Sequence, residues 1–219
     1  MKLVVYTTVF GSTKPLHEPS VDSDARFVCF TDQDISSPRW DIIRVPPSST
    51  PSRDCRKLKQ PSHVVFPAAD ATLWTDSNFS LRVDPFDLLA EYPHPVTTFR
   101  HPHRDRIRDE ARVIIKHGKA REDAITAQLA AYGADGFDTD EHPQQAISTG
   151  GFVLRRHTDA VKRFNDTWHH EVQTRSLRDQ MSIDYAAWKS GLRIRYFPGS
   201  HLENDFADFT RYKRATVDF

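Results

Sequence analysis

Residues 71–78 read ATLWTDSN. An apolar, β-branched run of strand length ends abruptly in three polar residues, Asp76, Ser77 and Asn78. That pattern predicts a buried strand that delivers polar side chains at its carboxyl end. Three earlier runs have the same character: KLVVYTTV at 2–9, RFVCFT at 26–31 and DIIRV at 41–45. Each is bounded by turn residues. Their near-continuous apolarity predicts strands covered on both faces, as in a parallel sheet. Between them, 46–52 (PPSSTPS) reads as a loop, and 53–60 as a short basic helix stopped by Pro61.

Downstream the period changes. Ile107, Ala111, Ile114 and Ile115 share one helix face, as do Ile125, Leu129 and Tyr132, with Gly133 as a natural stop. Residues 133–143 read as a loop and 147–155 (ISTGGFVLR) as a strand with a glycine break. Val161, Phe164, Trp168 and Val172 mark a long amphipathic helix. Ser176 to Asp179 opens another, with Met181, Tyr185 and Trp188 inward. Residues 193–197 form a last strand, and the tail from Pro198 is irregular. The expected fold is a single α/β domain over 1–219, with a mainly parallel, mixed central sheet flanked by helices. Its ligands are expected beyond the carboxyl ends of the strands.

The 219 residues carry 30 Lys plus Arg against 30 Asp plus Glu. Zero net charge argues against a nucleic-acid partner held by bulk charge and against a polybasic membrane binder. No apolar run approaches the roughly 18 residues of a transmembrane segment. The first apolar stretch is too short for a signal peptide. The two cysteines, Cys29 and Cys55, have no zinc or redox spacing. A reducing, cytoplasmic setting is expected. Asp outnumbers Glu 23 to 7, and Arg outnumbers Lys 21 to 9. The first bias suits turns and metal sites and the second suits phosphate ligands; genome base composition is the alternative source of both. The P-loop, GxGxxG, GxSxG and HExxH patterns are missing, which disfavours the enzymes built on them.

Asp76 and Asn78 are two apart on an extended segment and point to one side. A carboxylate and an amide oxygen so placed can share a divalent cation that bridges two phosphates; the alternative is an Asx-turn. Arg53, Arg56, Lys57 and Lys59 suit a phosphate ligand or form a solvated basic face. His101 and Arg104 precede the Ile107 helix, whose free N–H groups could meet an anion. Asp179, between Arg178 and Gln180, could orient an acceptor hydroxyl or take its proton. Ser176 and Asp179 also have the spacing of a capping box. Gly150 and Gly151 would admit a sugar close to the backbone or mark a bulge. His201 is a candidate third metal ligand.

Taken in order, these residues resemble the domain-of-unknown-function-616 group of glycosyltransferases, which has plant cell-wall-related and bacterial members. The resemblance rests on Tyr6 to Gly11, Arg26 to Asp32, the Arg56/Lys57/Lys59 stretch leading to His63, and Leu73 to Asn78. It continues through His101-Pro102-x-Arg104 with Glu110, then Gln128 and Tyr132, Gly151 to His157, and Ser176 to Ser182. It implies a GT-A-like nucleotide-sugar fold, with a nucleotide half at 1–100, a donor-sugar and acceptor half at 101–197, and a tail at 198–219. By that likeness Asp76 and Asn78 stand where such enzymes carry Asp-x-Asp, holding Mn²⁺ or Mg²⁺ on a diphosphate. Thr7, Thr8 and Asp32 would border the nucleoside, and Arg53, Arg56 and Lys57 the phosphates or base. Gly150, Gly151, Asp179 and Gln180 would line the sugar and acceptor side. The expected activity is metal-assisted transfer of a hexose from a nucleotide diphosphate sugar, a UDP sugar, to a glycan or other hydroxyl acceptor. A catalytically inactive binding module and a metal-dependent nucleotidyltransferase are the alternatives.

Overall fold

The computed structural model describes residues 1–11 and 15–211. Strands β1 (Leu3–Val9), β2 (Arg26–Thr31), β3 (Asp41–Arg44) and β4 (Ala71–Thr75) lie in the order β3-β2-β1-β4. All three pairings are parallel. Every residue of β1 and β4 is buried. Alternate residues serve two different cores. Leu3, Val5, Phe27, Cys29 and Leu73 pack on one face; Val4, Tyr6, Val28, Phe30 and Trp74 pack on the other. A strand buried on both faces cannot alternate apolar with polar, which is why these segments read as unbroken runs.

Beyond β4 the sheet reverses. Strand β7 (Ser148–Arg156) runs antiparallel to β4 and to β6 (Val96–Arg100), and β8 (Arg195–Phe197) closes the edge parallel to β6. The order is β3-β2-β1-β4-β7-β6-β8, a seven-stranded mixed sheet. A separate small sheet pairs β5 (Phe79–Leu81) with β9 (Ala207–Phe209).

Helices cover the sheet. On the Trp74 face sits α6 (Asp159–Thr174), through Val161, Phe164, Trp168 and Val172, with α7 (Ile183–Lys189) beside it. Each such side chain, fully buried, is worth roughly 1.5–3 kcal/mol. Thr158 caps α6 by accepting from the Val161 amide. Helices α4 (Ile107–Lys116) and α5 (Glu122–Ala134) pack around a third core with Met181 and Tyr185. Two helices follow β3, α1 (Pro51–Lys59) and the short α2 (Ser62–Val65). Helix α3 (Pro85–Glu91) is started by Asp84, which accepts from the Phe86 amide. Among the described residues no helix is long and apolar enough to cross a membrane.

Several expectations need correction. The stretch 79–100, unread above, holds β5, α3 and β6. The interior of β6 is Thr97, Thr98 and Phe99, all fully buried, so its polarity disguised a central strand. The tail is not wholly irregular, because Ala207–Phe209 forms β9. Residues 212–219 of that expected tail lie outside the described residues. Unlike these, the single domain over the chain stands: β6 pairs with β7 and β8, so strands from 1–100 and from 101–197 lie in one sheet. The capping box does not form. The Ser176 hydroxyl donates to Gln128 Oε1 instead, and Asp179 starts a single 3-10 turn, Asp179–Met181, ahead of α7.

Candidate active site

The carboxyl ends of β1 and β4 open into a cavity of about 540 Å³. Because β7 is antiparallel to β4, its first residues lie beside the end of β4, with Thr75 opposite Phe152. Asp76 therefore meets Gly151, and its amide donates to the Gly151 carbonyl at 2.7 Å. Helix α1 contributes Cys55, Arg56 and Lys59 to the wall, and the segment after α6 contributes Arg178, Asp179 and Gln180. His101, Arg104 and Glu110 form one end, with His201 and Phe209 also on the wall.

Lys59 organises the charges. It is 4% exposed. Its ammonium pairs with Asp179 Oδ2 and lies 3.6 Å from Asp76 Oδ1. It sits 5.2 Å from the ring centroid of Trp74 and 5.9 Å from that of Trp168, distances at which aromatic faces attract a cation. Its backbone carbonyl is held too, accepting from Tyr6 Oη at 2.6 Å and Arg155 Nη2 at 2.9 Å. Arg155 also donates to the Gln60 carbonyl at 2.8 Å. A buried guanidinium thus satisfies the last carbonyls of α1, where a cation favours the helix dipole.

Asp179 is buried, and burial alone would raise its pKa. The charges of Lys59, Arg56 and Arg178 outweigh that and hold its carboxyl far below the usual carboxylate range. Arg56 Nη2 stands 3.7 Å from Asp179 Oδ1, so each carboxylate oxygen faces a cation. Trp168 Nε1 donates to the Asp179 carbonyl at 2.9 Å and fixes the backbone. At neutral pH Asp179 is a fixed anion and a poor proton acceptor. His101 is no proton carrier there either. Burial first, and the Arg104 charge next, lower its pKa to about 4. Its two ring nitrogens face the His103 amide at 3.1 Å and Arg104 Nη2 at 2.8 Å.

Gly150 and Gly151 lie under close side-chain contacts. A Cβ on Gly150 would stand 3.2 Å from both Asp179 Oδ2 and Lys59 Nζ. One on Gly151 would stand 3.1 Å from Asp76 Oδ2. Both carboxylates approach the β7 backbone because these residues lack side chains.

The structure gathers Thr8, Arg56, Asp76, Asn78, His101, Arg104, Gly150, Gly151, Arg178, Asp179, Gln180 and His201 around one cavity. Four other expected site residues, Thr7, Asp32, Arg53 and Lys57, do not line it. Asp32 accepts from the Gly11 amide at 2.9 Å, and Thr7 is buried in β1. Arg53 donates to the Gln173 carbonyl and Lys57 pairs with Asp54. Arg56 and Lys59, three apart on α1, reach the cavity wall; Arg53, one turn earlier, is taken up by the Gln173 carbonyl of α6, and Lys57, next to Arg56 and so on another face, pairs with Asp54. Three wall residues carry no individual role in the sequence-based site: Lys59 enters it only within the basic cluster, and Trp74 and Glu110 only among the residues that carry the resemblance. Lys59 belonged to the basic cluster, but nothing in the local sequence marked it as the buried member.

The metal expectation can be tested on the donor atoms. Among the described residues no three His, Cys, Asp or Glu side chains gather as a metal cluster. Asp76 Oδ1 accepts from Trp74 Nε1 at 2.8 Å. Asn78 donates through Nδ2 to the Thr210 carbonyl, which leaves its buried Oδ1 without a hydrogen-bond partner. His201 Nδ1 is also buried and without one. Asp76, Asn78 and His201 thus line one cavity and carry donor types that a divalent cation takes, two of them on atoms without a hydrogen-bond partner.

Residues 30–208 match the family model described as TOD1/MUCI70, glycosyltransferase-like domain. The match covers most of the chain and includes Lys59, Asp76, Gly151 and Asp179, and the chain belongs to that family. It is similar to the probable hexosyltransferase MUCI70 of Arabidopsis thaliana, 27% identical over 188 residues. That alignment covers 80% of this chain and 32% of the relative. The chain thus spans about a third of the length of the curated relative it matches.

Proposed function

We propose that the protein transfers a hexose from a nucleotide diphosphate sugar, a UDP sugar, to a hydroxyl of a glycan or similar acceptor, with a GT-A-like arrangement of the site. The observation that carries this reading is the meeting of Asp76, Asp179 and the Gly150-Gly151 backbone around one cationic cavity. Family membership supports it. The diphosphate lies at the Asp76 end, where Arg56 and Arg178 offset charge on the leaving group. Asp76, Asn78 and His201 would hold Mn²⁺ or Mg²⁺, which supplies electrostatic stabilisation of the departing diphosphate when bound. The glycine pair lets Asp76 and Asp179 lie against the strand backbone, from which they face the bound sugar nucleotide.

Asp179 accepts a hydrogen bond from a sugar or acceptor hydroxyl and orients it. Because its oxygens already face Lys59 and Arg56, it acts as an orienting anion and not as a base. Gln180 Nε2 and Arg178 Nε are buried donors without partners, and they suit sugar hydroxyls or phosphate oxygens. Cys29 and Cys55 are free thiols, in keeping with a cytoplasmic setting.

A thermal-shift screen of nucleoside diphosphates and nucleotide sugars, with and without Mn²⁺, tests this. A ligand at a hundred times its Kd stabilises by about 2.7 kcal/mol, a shift of a few degrees. The expected result is a Mn²⁺-dependent shift with uridine nucleotides that Asp76→Ala abolishes. Nucleotide binding without sugar transfer would favour an inactive module. Release of pyrophosphate would indicate a nucleotidyltransferase.

A further inference from the structure

Lys59 is the least expected feature of the site. A cavity that is to receive a divalent cation already contains a fixed ammonium 3.6 Å from its half-exposed carboxylate, Asp76. The ammonium cannot easily withdraw. Its carbonyl is clamped by Tyr6 and Arg155. Its stem is buried, and its charge lies between Trp74, Trp168 and Asp179.

Resting on the functional reading above, we propose that Lys59 is an internal competitor of the divalent cation at Asp76. It partly neutralises the two carboxylates that would attract a metal, and at 3.6 Å from Asp76 it repels a second cation on that carboxylate. The free protein therefore holds a divalent cation weakly. Tight binding requires the negative charge that a diphosphate brings, so metal and nucleotide enter as a coupled pair. Lys59 also keeps Asp179 charged and in place whether or not the metal is present. It is a positioning residue that sets metal affinity and acts on the sugar through Asp179.

The proposal predicts a gain of binding on mutation, which a purely structural lysine would not produce. Mn²⁺ alone is titrated into the wild type, Lys59→Met and Lys59→Arg, with free Mn²⁺ read by electron paramagnetic resonance. Lys59→Met should bind Mn²⁺ at least tenfold more tightly than the wild type, and Lys59→Arg should stay close to it. Removing Lys59 leaves Asp179 with one fewer cation, so a folding defect is possible in that variant. The same comparison is then made between Asp179→Asn and Lys59→Met/Asp179→Asn, which differ only at Lys59. A tenfold gain there supports the proposal. Equal or weaker Mn²⁺ affinity in folded Lys59→Met, or in the double variant against its background, overturns it. UDP binding is measured on the same samples without metal. If UDP binds but no variant binds Mn²⁺, the competitor idea falls while the nucleotide reading stands. A gain of Mn²⁺ affinity without any UDP binding supports Lys59 as competitor and counts against the glycosyltransferase reading.

Discussion

Asp179 and Asp184 lie five residues apart, one in a 3-10 turn and the other in the helix that follows. Their surroundings treat the carboxylate charge in opposite ways. Asp184 is met only by neutral donors: the Ser148 amide at 2.8 Å, the Ser148 hydroxyl at 2.5 Å and Gln144 Nε2 at 3.0 Å. Burial raises its pKa to about 6, and these hydrogen bonds offset only part of that. Asp179 is met by Lys59 and Arg56, whose charges reverse the effect of burial. One strand serves both, since Ser148 holds Asp184 and Gly150 makes room for Asp179. Similar burial thus produces a titrating group in one place and a permanent anion in the other. The permanent anion is the one that faces the cavity.

The sharpest way to break this contrast is to neutralise each carboxylate. Asp179→Asn should lower sugar transfer by about a hundredfold to a thousandfold, the range for losing a preorganised charge contact. UDP affinity should be retained. Asp184→Asn should leave transfer near wild type. Equal losses in the two variants, measured as initial rates with binding by calorimetry, would erase the distinction.

The pH dependence of stability is the next test. The folded pKa of Asp184 lies above its unfolded value, so the native state holds a proton that the unfolded chain releases. That stabilisation is complete below about pH 4 and lost as the pH rises through about 6, a change of about 3 kcal/mol. For Asp179 the folded pKa lies below the unfolded one. Its contribution is present above about pH 4 and lost as the pH falls through the lowered value. Urea unfolding at pH 4.5 and pH 7 should show a larger loss on raising the pH in the wild type than in Asp184→Asn. Identical differences in the two proteins would mean that Asp184 is ionised throughout.

The smallest effect concerns Ser176, near Asp179 in the chain but outside the cavity lining. Ser176→Ala removes the hydrogen bond to Gln128 Oε1 and should cost about 1–2 kcal/mol of stability, with transfer unchanged. A transfer defect as large as that of Asp179→Asn would extend the site to Ser176.

The strands β1, β2 and β4 were legible because burial on both faces leaves an apolar run in the sequence; β3, an edge strand that is only half-buried and not covered on both faces as expected, was legible from its β-branched residues between turns. Asp76 was legible because it follows such a run. β6 was hidden because its buried Thr97 and Thr98 satisfy a sheet without looking hydrophobic. The role of Asp179 was ambiguous between cap and site. A capping box is a local pattern, and the Ser176 hydroxyl found a distant partner in Gln128 instead.

The sequence by itself determined the α/β class, the places of most strands and helices, and which polar residues stand at strand ends. These follow from periodicity and turn chemistry, which act over a few residues. Only the tertiary structure decided which charges meet. Lys59 and Asp179 are 120 positions apart, and α1 joins the turn after α6 only because both pack over the same sheet. Local pattern records which apolar segments are buried, and it misses buried polar residues such as Lys59 and Thr97. The identity of the partner that a buried residue meets depends on the packing of the whole chain.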